Sequence, residues 1–339
     1  MQKKSPLQEI PMGWYVLAES HELFTGQVLT RKLVGQELVL FRTHTGEVSV
    51  VDAHCPHLGA HLGKGGTVEG ETIRCPFHGF CFNTKGDCVT TGYGTKPPPK
   101  ARLRAWPTHE VNGLVMAWYH PHGEPPLWET PGMEWEGWLP TKMSSYDLNS
   151  HPQETSENSV DTGHFVAVHG YKSVETLKPL VTQDHYLTTK YAMSRHADFL
   201  GFRGMDVRAE FEIHIYGLGY SLVEAYVPQY DLHSRHFVLP TPTEEGKIEL
   251  RLGVSLLPTK LSKVNFFLGL LPNGLGMAIL HGQYFKHYLG DVMQDFHIWE
   301  NKCYIDPPVL AKGDGPIGKY RRWARQFYPK HEEVLAAVS

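Results

Sequence analysis

The 339-residue chain has no long uninterrupted apolar run, few cysteines and no surplus of positive charge. Its most apolar stretch, residues 264–280, is broken by Pro272, Asn273 and three glycines, which makes it too short and interrupted for a membrane span. Residues 1–16 are basic but hold no apolar core, so neither a signal peptide nor an N-terminal membrane anchor is expected there. The net charge is −4 and Lys and Arg are scattered, so no basic field invites nucleic acid. Five cysteines are an odd number and too sparse for a disulfide framework, which points to a reducing cytoplasm. No G-x-G-x-x-G follows a strand-like segment, so the chain is not expected to carry a nicotinamide or flavin module of its own.

What is present divides into two textures. From residue 14 to 119 the sequence reads as short strands such as EVSVVDAH, ETIRCPF and GLVMAWYH, separated by Gly- or Pro-rich connectors. HPHGEPP (120–126) reads as a linker. Beyond it a helix with acidic residues near its start is expected across 153–169, followed by long alternating strands. In one, Ile248, Leu250, Leu252, Val254 and Leu256 share a face; in another, Ala209, Phe211, Ile213 and Ile215 do. Helix is expected again over 281–301 and in PIGKYRRWARQFY near the end.

The segment CPHLGAHLGKGGTVEGETIRCPFHGFCFN (55–83) supplies C-x-H in one loop and C-x-x-H in the next. A zinc finger clusters its cysteines apart from its histidines, whereas here each loop offers one of each, Cys55 with His57 and Cys75 with His78. That mixture suits a Rieske [2Fe–2S] centre, with both thiolates on one iron and both imidazoles on the other. A structural zinc site is the alternative. Pro56 and Pro76 stiffen the loops, while Gly59 and Gly79 allow tight turns. His54 and His61 are expected to be packing or surface residues, and Cys81 and Cys88 buried small hydrophobes.

More than half the chain remains to use such electrons. ENSVDTGHFVAVH (157–169) reads D-x-x-H-x-x-x-x-H, placing Asp161 and His164 on one helix face. His169 reaches the same point only if the helix ends or bulges between them, for which Gly163 is the expected irregularity. Two histidines and a later carboxylate make the facial triad of a non-haem Fe(II) site.

These motifs together resemble the Rieske non-haem iron oxygenases. The resemblance implies that His164, His169 and Asp295, in MQDFHIWENKCY, hold the mononuclear iron, with Asp291 the main rival to Asp295 and Glu300 beyond it. It implies that Asp161 is a catalytic bridge, accepting hydrogen bonds from His164 and from His78 of the partner subunit in a head-to-tail homotrimer. Ala60 and Phe77 stand where respiratory-chain Rieske proteins carry extra cysteines, so this chain resembles the oxygenase type. Its tail, with IW-x-x-K, D-G-P-I and RRW-x-x-QFY, is similar to 3-ketosteroid 9α-hydroxylase oxygenases and Neverland-type cholesterol 7-desaturases.

The implied fold is α+β. Residues 1–125 form a β-rich Rieske domain, and residues 126–339 a helix-grip (START-like) catalytic domain, an antiparallel sheet around a long C-terminal helix. The implied function is the terminal oxygenase of a multicomponent monooxygenase. It takes O2, and electrons from NAD(P)H only through a separate reductase or ferredoxin, to hydroxylate, desaturate or demethylate a steroid or sterol. An aromatic or alkaloid-like substrate, or a pure electron carrier without catalytic iron, are the alternatives. ADFLGFRGM (197–205) and residues 264–280 are the expected walls of an apolar pocket, and the second is also a candidate for peripheral membrane contact.

Overall fold

The structure, a computed structural model, describes Leu7 and residues 9–199 and 202–329, with no side chain from 197 to 205. ADFLGFRGM therefore lies outside the described side chains. The chain divides into two compact units, one of residues 10–133 with 241–245, the other of residues 134–240 and 246–329.

The first unit is made of short strands, as its turn-rich sequence predicts. They are β1 (Gly13–Glu19), β2 (Val28–Leu33), β3 (Gln36–Arg42), β4 (Val48–Asp52), β5 (Thr67–Glu69), β6 (Thr72–Arg74), β7 (Cys81–Asn83), β8 (Cys88–Thr90), β9 (Ala105–Trp106), β10 (Thr108–Val111) and β11 (Leu114–Tyr119). They pair as β1-β11-β10, β2-β3-β4-β9 and β5-β6-β7-β8. The period of two in a strand explains why β3 is buried on both faces. Leu38 and Leu40 join Tyr15, Leu17 and Trp106 in one core. Val39 and Phe41 point the other way, into a second core that contains Cys55 and Cys75. Residues 120–126 are an ordered part of this unit rather than a free linker. The His120 Nδ1 accepts from the His122 and Glu124 N–H groups at 3.2 and 3.4 Å, and Trp118 Nε1 donates to the Glu124 carbonyl at 3.0 Å.

The second unit opens with β12 (Lys142–Leu148), α1 (Pro152–Glu157) and α2 (Thr162–Ala167). It continues with β13 (Ser173–Gln183), β14 (Tyr186–Phe199), β15 (Phe202–Tyr216), β16 (Tyr220–Val227), β17 (Leu232–Glu244) and β18 (Lys247–Leu256). One seven-stranded sheet results, in the order β12-β18-β17-β16-β15-β14-β13. Two short helices, α3 (Leu261–Val264) and α4 (Phe266–Gly269), lead to the long α5 (Asn273–Asn301), and α6 (Ile317–Ala324) ends the unit. The alternating residues of β18, Ile248 to Leu256, are buried and pack on α5 through Met277, Leu280, Tyr288 and Trp299. An antiparallel sheet gripping a C-terminal helix is the expected architecture, and it is observed.

Three local expectations are corrected. The helix expected across 153–169 is two helices, because residues 159–161 spend their backbone N–H groups in turns and Asp161 caps a new start. Helix α5 begins at Asn273, eight residues before the sequence predicts. Its glycines conceal it: a Cβ on Gly276 would stand 2.3 Å from Leu261 Cδ1, so close packing, not propensity, selects glycine there. Residues 264–280 do not wall the cavity described below. Val264, Met277 and Leu280 are core, whereas Phe266, Phe267 and Leu270 are exposed at 69%, 75% and 68%.

Candidate metal centres

The two Cys-His loops of the first unit are built on one plan. Cys55 N–H donates to the Ala60 carbonyl at 2.8 Å and Gly59 N–H to the Cys55 carbonyl at 2.9 Å. Cys75 repeats this with Phe80 at 2.8 Å and Gly79 at 3.1 Å. Gly59 and Gly79 close their turns at φ +80° and +65°, left-handed values that a side chain disfavours. Gly92, which sequence reasoning missed, supports the second loop from behind: its N–H donates to the His78 carbonyl at 3.2 Å, and a Cβ there would lie 2.2 Å from that oxygen.

The loops bring their four donors together. Cys55 and Cys75 are both 2% exposed. Burial, then the hydrogen-bonded Cys75 thiol, pushes the Cys55 pKa up to about 11 even though the His57 backbone works against it. Two thiols so placed ask for a cation to stabilise them as thiolates. The rings of His57 and His78 are 4.7 Å apart, and His57 stacks on Phe80 at 4.4 Å. Two inner sulfurs and two outer, half-exposed imidazoles fit a Rieske cluster and fit zinc-finger clustering poorly. His54 and His61 stand aside. His61 Nδ1 accepts from Gly63 N–H at 3.0 Å, so its Nε2 carries the proton and faces Glu37 at 3.5 Å. Cys81 is buried and Cys88 half-buried, as expected of packing residues.

The second centre gathers residues from separate elements. His164 lies in α2, His169 just past its end and Asp295 in α5, and one donor atom of each lies within 4.8 Å of the others. The helix ends at Ala167, and that ending, not Gly163, takes His169 off the helical path and lets it meet His164. Asp161 is the N-cap of α2 rather than a residue on its face. Its carboxylate accepts from the His164 backbone N–H at 3.0 Å, while the His164 ring donates from Nδ1 to the Asp161 carbonyl at 2.6 Å. The ring is thus bonded to the backbone of Asp161 and not, as the resemblance implied, to its carboxylate.

That bond fixes the tautomer: with the proton on Nδ1, His164 presents a bare Nε2. His169 Nε2 contacts Asp295 Oδ2 at 3.3 Å, a gap that a proton or a metal ion can bridge, and its buried Nδ1 has no hydrogen-bond partner among the described residues. Burial lowers the His164 pKa. Burial also works against charge on His169, but the hydrogen bond and charge of Asp295 outweigh it and hold that pKa above the ordinary value. Asp295 is buried, at 4% exposed. Asp291, the rival, is held by Arg195 in a two-point pair at 2.9 and 2.8 Å. Glu300 accepts from Asn149 N–H at 3.3 Å, away from the triad. Two imidazoles and a carboxylate on buried, converging atoms fit ferrous iron.

This triad forms part of the wall of a cavity of about 240 Å³. Phe165, Met193, Phe211, Val223 and Leu232 make most of the remaining wall apolar. Tyr284, Tyr288, Asp291, Asp295 and Trp299 line it at helical spacing along α5, a face that periodicity anchored on Asp295 would have found.

The tail motifs serve as bracing. Arg321 of RRW donates to both oxygens of buried Glu157 at 2.6 and 2.8 Å, and Lys302 of IW-x-x-K pairs with Glu154. Gly315 of D-G-P-I, at φ +78°, lies so close to the 160–162 turn that a Cβ would stand 2.3 Å from the Val160 carbonyl oxygen. All three hold α1 and the turn that carries Asp161.

Two family descriptions match the chain: the Rieske [2Fe-2S] domain over residues 13–107 and the 3-Ketosteroid 9alpha-hydroxylase C-terminal domain over residues 117–328. The chain belongs to the Rieske non-haem iron oxygenases. Its membership makes it an oxidoreductase with a [2Fe–2S] cluster, a mononuclear iron and O2 as co-substrate. The cholesterol 7-desaturase nvd of Xenopus laevis is 32% identical, over 96% of this chain and 73% of its own length. The 3-ketosteroid-9-alpha-monooxygenase oxygenase component of Rhodococcus rhodochrous is 30% identical, over 95% and 82%. Among solved structures, Pseudomonas putida CBB5 NdmA with caffeine superposes with a TM-score of 0.69 at 18% identity, over 94% of this oxygenase and 91% of NdmA. Dicamba monooxygenase bound to dicamba gives 0.63 at 18% identity, over 96% and 98%. At that identity the likeness is one of fold. No helix among the described residues is long and apolar enough to cross a membrane.

Proposed function

We propose that this oxygenase is the terminal component of a multicomponent system that oxidises a steroid or sterol with O2, drawing electrons from a separate reductase or ferredoxin. The observation that carries this reading is a His-His-Asp donor set on the wall of a largely apolar cavity. Relatives named for cholesterol and for 3-ketosteroids, matched over nearly the whole chain, support the substrate class. In this reading Cys55, Cys75, His57 and His78 hold the cluster, and His164, His169 and Asp295 the single iron. When bound, that iron supplies the activation of dioxygen. The chain's own residues do the rest: His164 is oriented by the Asp161 carbonyl, the apolar walls exclude water, and Asp161 is the bridge that meets the electron donor.

Leu58 and Phe77, 66% and 61% exposed beside His57 and His78, support a contact surface there for a partner subunit of a homotrimer or for the reductase. Exposed Phe266, Phe267 and Leu270, close in sequence to Lys260 and Lys263, support peripheral contact with a membrane that stores the substrate. None of the five cysteines is in a disulfide, which supports a cytoplasmic setting. The test is turnover with a surrogate reductase, NAD(P)H and O2 on a panel of 3-ketosteroids and sterols, with products read by mass. A gain of one oxygen atom or a loss of two hydrogens on a steroid is the expected result. Oxidation confined to small aromatic or alkaloid probes would overturn the reading.

A further inference from the structure

The largely apolar cavity has a polar corner, at His236 and Tyr284, that neither metal centre uses. In it Ser234 Oγ, Tyr284 Oη and His236 Nε2 form a closed triangle, with sides of 2.9 Å (Ser234 to His236), 2.8 Å (Ser234 to Tyr284) and 3.1 Å (His236 to Tyr284). His236 is 7% exposed and lines the cavity, and its Nδ1 has no protein partner among the described residues. A ring nitrogen left open on a cavity-lining side chain can give or take a hydrogen bond with a bound ligand. Burial pushes the His236 pKa down to about 4, so the ring is neutral at ordinary pH. Outside the His164–His169–Asp295 triad, the cavity-lining Arg195 and Asp291 neutralise each other in their two-point pair. The corner therefore suits an uncharged ligand atom.

Resting on the steroid reading above, we propose that His236 is the anchor for the substrate's single uncharged oxygen, ketone or hydroxyl, and so decides which carbon faces the iron. The triangle allows either kind. With the proton on Nε2, the ring donates to one of the two hydroxyls, the hydroxyls bond to each other, and the bare Nδ1 accepts from a substrate hydroxyl. With the proton on Nδ1, the ring donates to a ketone while Nε2 accepts from Tyr284 or Ser234. The position also fits. His236 packs against Tyr284 and Tyr288, with centroids 5.6 and 4.7 Å away, and these precede Asp295 by eleven and seven residues on α5. At the helical rise the anchor sits roughly 10–16 Å along the helix from the iron-binding carboxylate, a separation of the order of a fused-ring skeleton.

The test compares three probes that differ by one oxygen: 5α-androstan-3-one, 5α-androstan-3β-ol and 5α-androstane. Dissociation constants are measured by tryptophan fluorescence on the wild-type protein, His236→Phe and Tyr284→Phe, with far-UV circular dichroism and iron content per chain as the check on folding of the second unit. The wild type should bind the ketone and the alcohol about tenfold more tightly than the hydrocarbon, the size of one well-made neutral hydrogen bond. His236→Phe should abolish that ratio while binding the hydrocarbon as well as wild type does. It should also scatter the oxidation of a turned-over steroid over several carbons. Tyr284→Phe, which keeps the ring but removes one of its partners, should reduce the ratio and covers the case in which His236→Phe does not fold. If no probe binds the wild type, the steroid reading falls and the anchor with it. If the probes bind the wild type equally, or the folded variants keep its ratio, the anchor assignment is wrong while the steroid reading stands.

Discussion

The two metal centres of this oxygenase are held by opposite means. The Cys55 and Cys75 loops are local, each fixed by backbone bonds within six residues and a glycine at positive φ. The His164–His169–Asp295 centre is assembled from α2, the residue pair beyond it and α5, and is steadied by side chains as far away in sequence as Arg321 and Lys302. A local site can be specified by a short motif and survive changes elsewhere. A distributed site inherits every weakness of its supports.

That contrast can be broken or sharpened by experiment. The largest effect is expected at Asp161. Asparagine caps a helix nearly as well as aspartate, so Asp161→Asn should keep both metals and the fold yet lower steroid turnover by at least about a hundredfold. Metal analysis beside steady-state rates checks this, and near-normal turnover would remove Asp161 as the bridge. Next comes the bracing. Arg321→Met leaves the buried Glu157 carboxylate with only Lys302, at 4.0 Å, to face it, and the loss should be about 3 kcal/mol of stability in the second unit. Urea unfolding followed by tryptophan fluorescence should show that loss while the visible spectrum of the cluster persists; a shift below about 1 kcal/mol would mean that the brace is ornamental.

Acid should act in the same direction. His151 and His236 both belong to the second unit, and burial pushes each to a pKa of about 4. The unfolded chain protonates them near 6.5, so it binds more protons than the fold between those values. Their contribution to stability is therefore complete above about pH 6.5 and is lost as the pH falls towards 4, by up to about 3 kcal/mol each. Melting temperatures across this window, compared with those of His151→Gln, check the sign; a protein that gains stability on acidification would contradict it. The smallest effects form a matched pair. Gly59→Ala in the first loop meets open space and should cost only the left-handed conformation, about 1 kcal/mol. Gly315→Ala adds a collision with the Val160 carbonyl and should cost more and weaken iron retention. Equal effects would erase the distinction between the two designs.

The same contrast explains what could be read from the sequence. The cluster loops were legible because four donors, two prolines and two turn glycines fall within 25 residues, from Cys55 to Gly79. Strand β18 was legible because alternation is a local signal, and its five apolar residues are all buried. The break between α1 and α2 was not. Its cause is the Asp161 carboxylate, which takes the His164 N–H and starts a new helix, and helical spacing across 157–169 conceals that cap. The MQDFHIWENKCY resemblance selects Asp295 over Asp291, because helical spacing alone puts both on one face of α5; the structure separates their surroundings by pairing Asp291 with Arg195 of β14. The Ser234–His236–Tyr284 corner joins a strand to a helix about fifty residues later, and no motif announces it.

The central claim is that the second unit holds an iron of its own on His164, His169 and Asp295. Iron and acid-labile sulfide per chain, measured on anaerobically prepared wild type and Asp295→Ala, test it most directly. The account predicts about three irons and two sulfides in the wild type and about two of each in the variant, with the cluster spectrum unchanged. A wild type with only about two irons per chain, or a variant that retains the third, would contradict it.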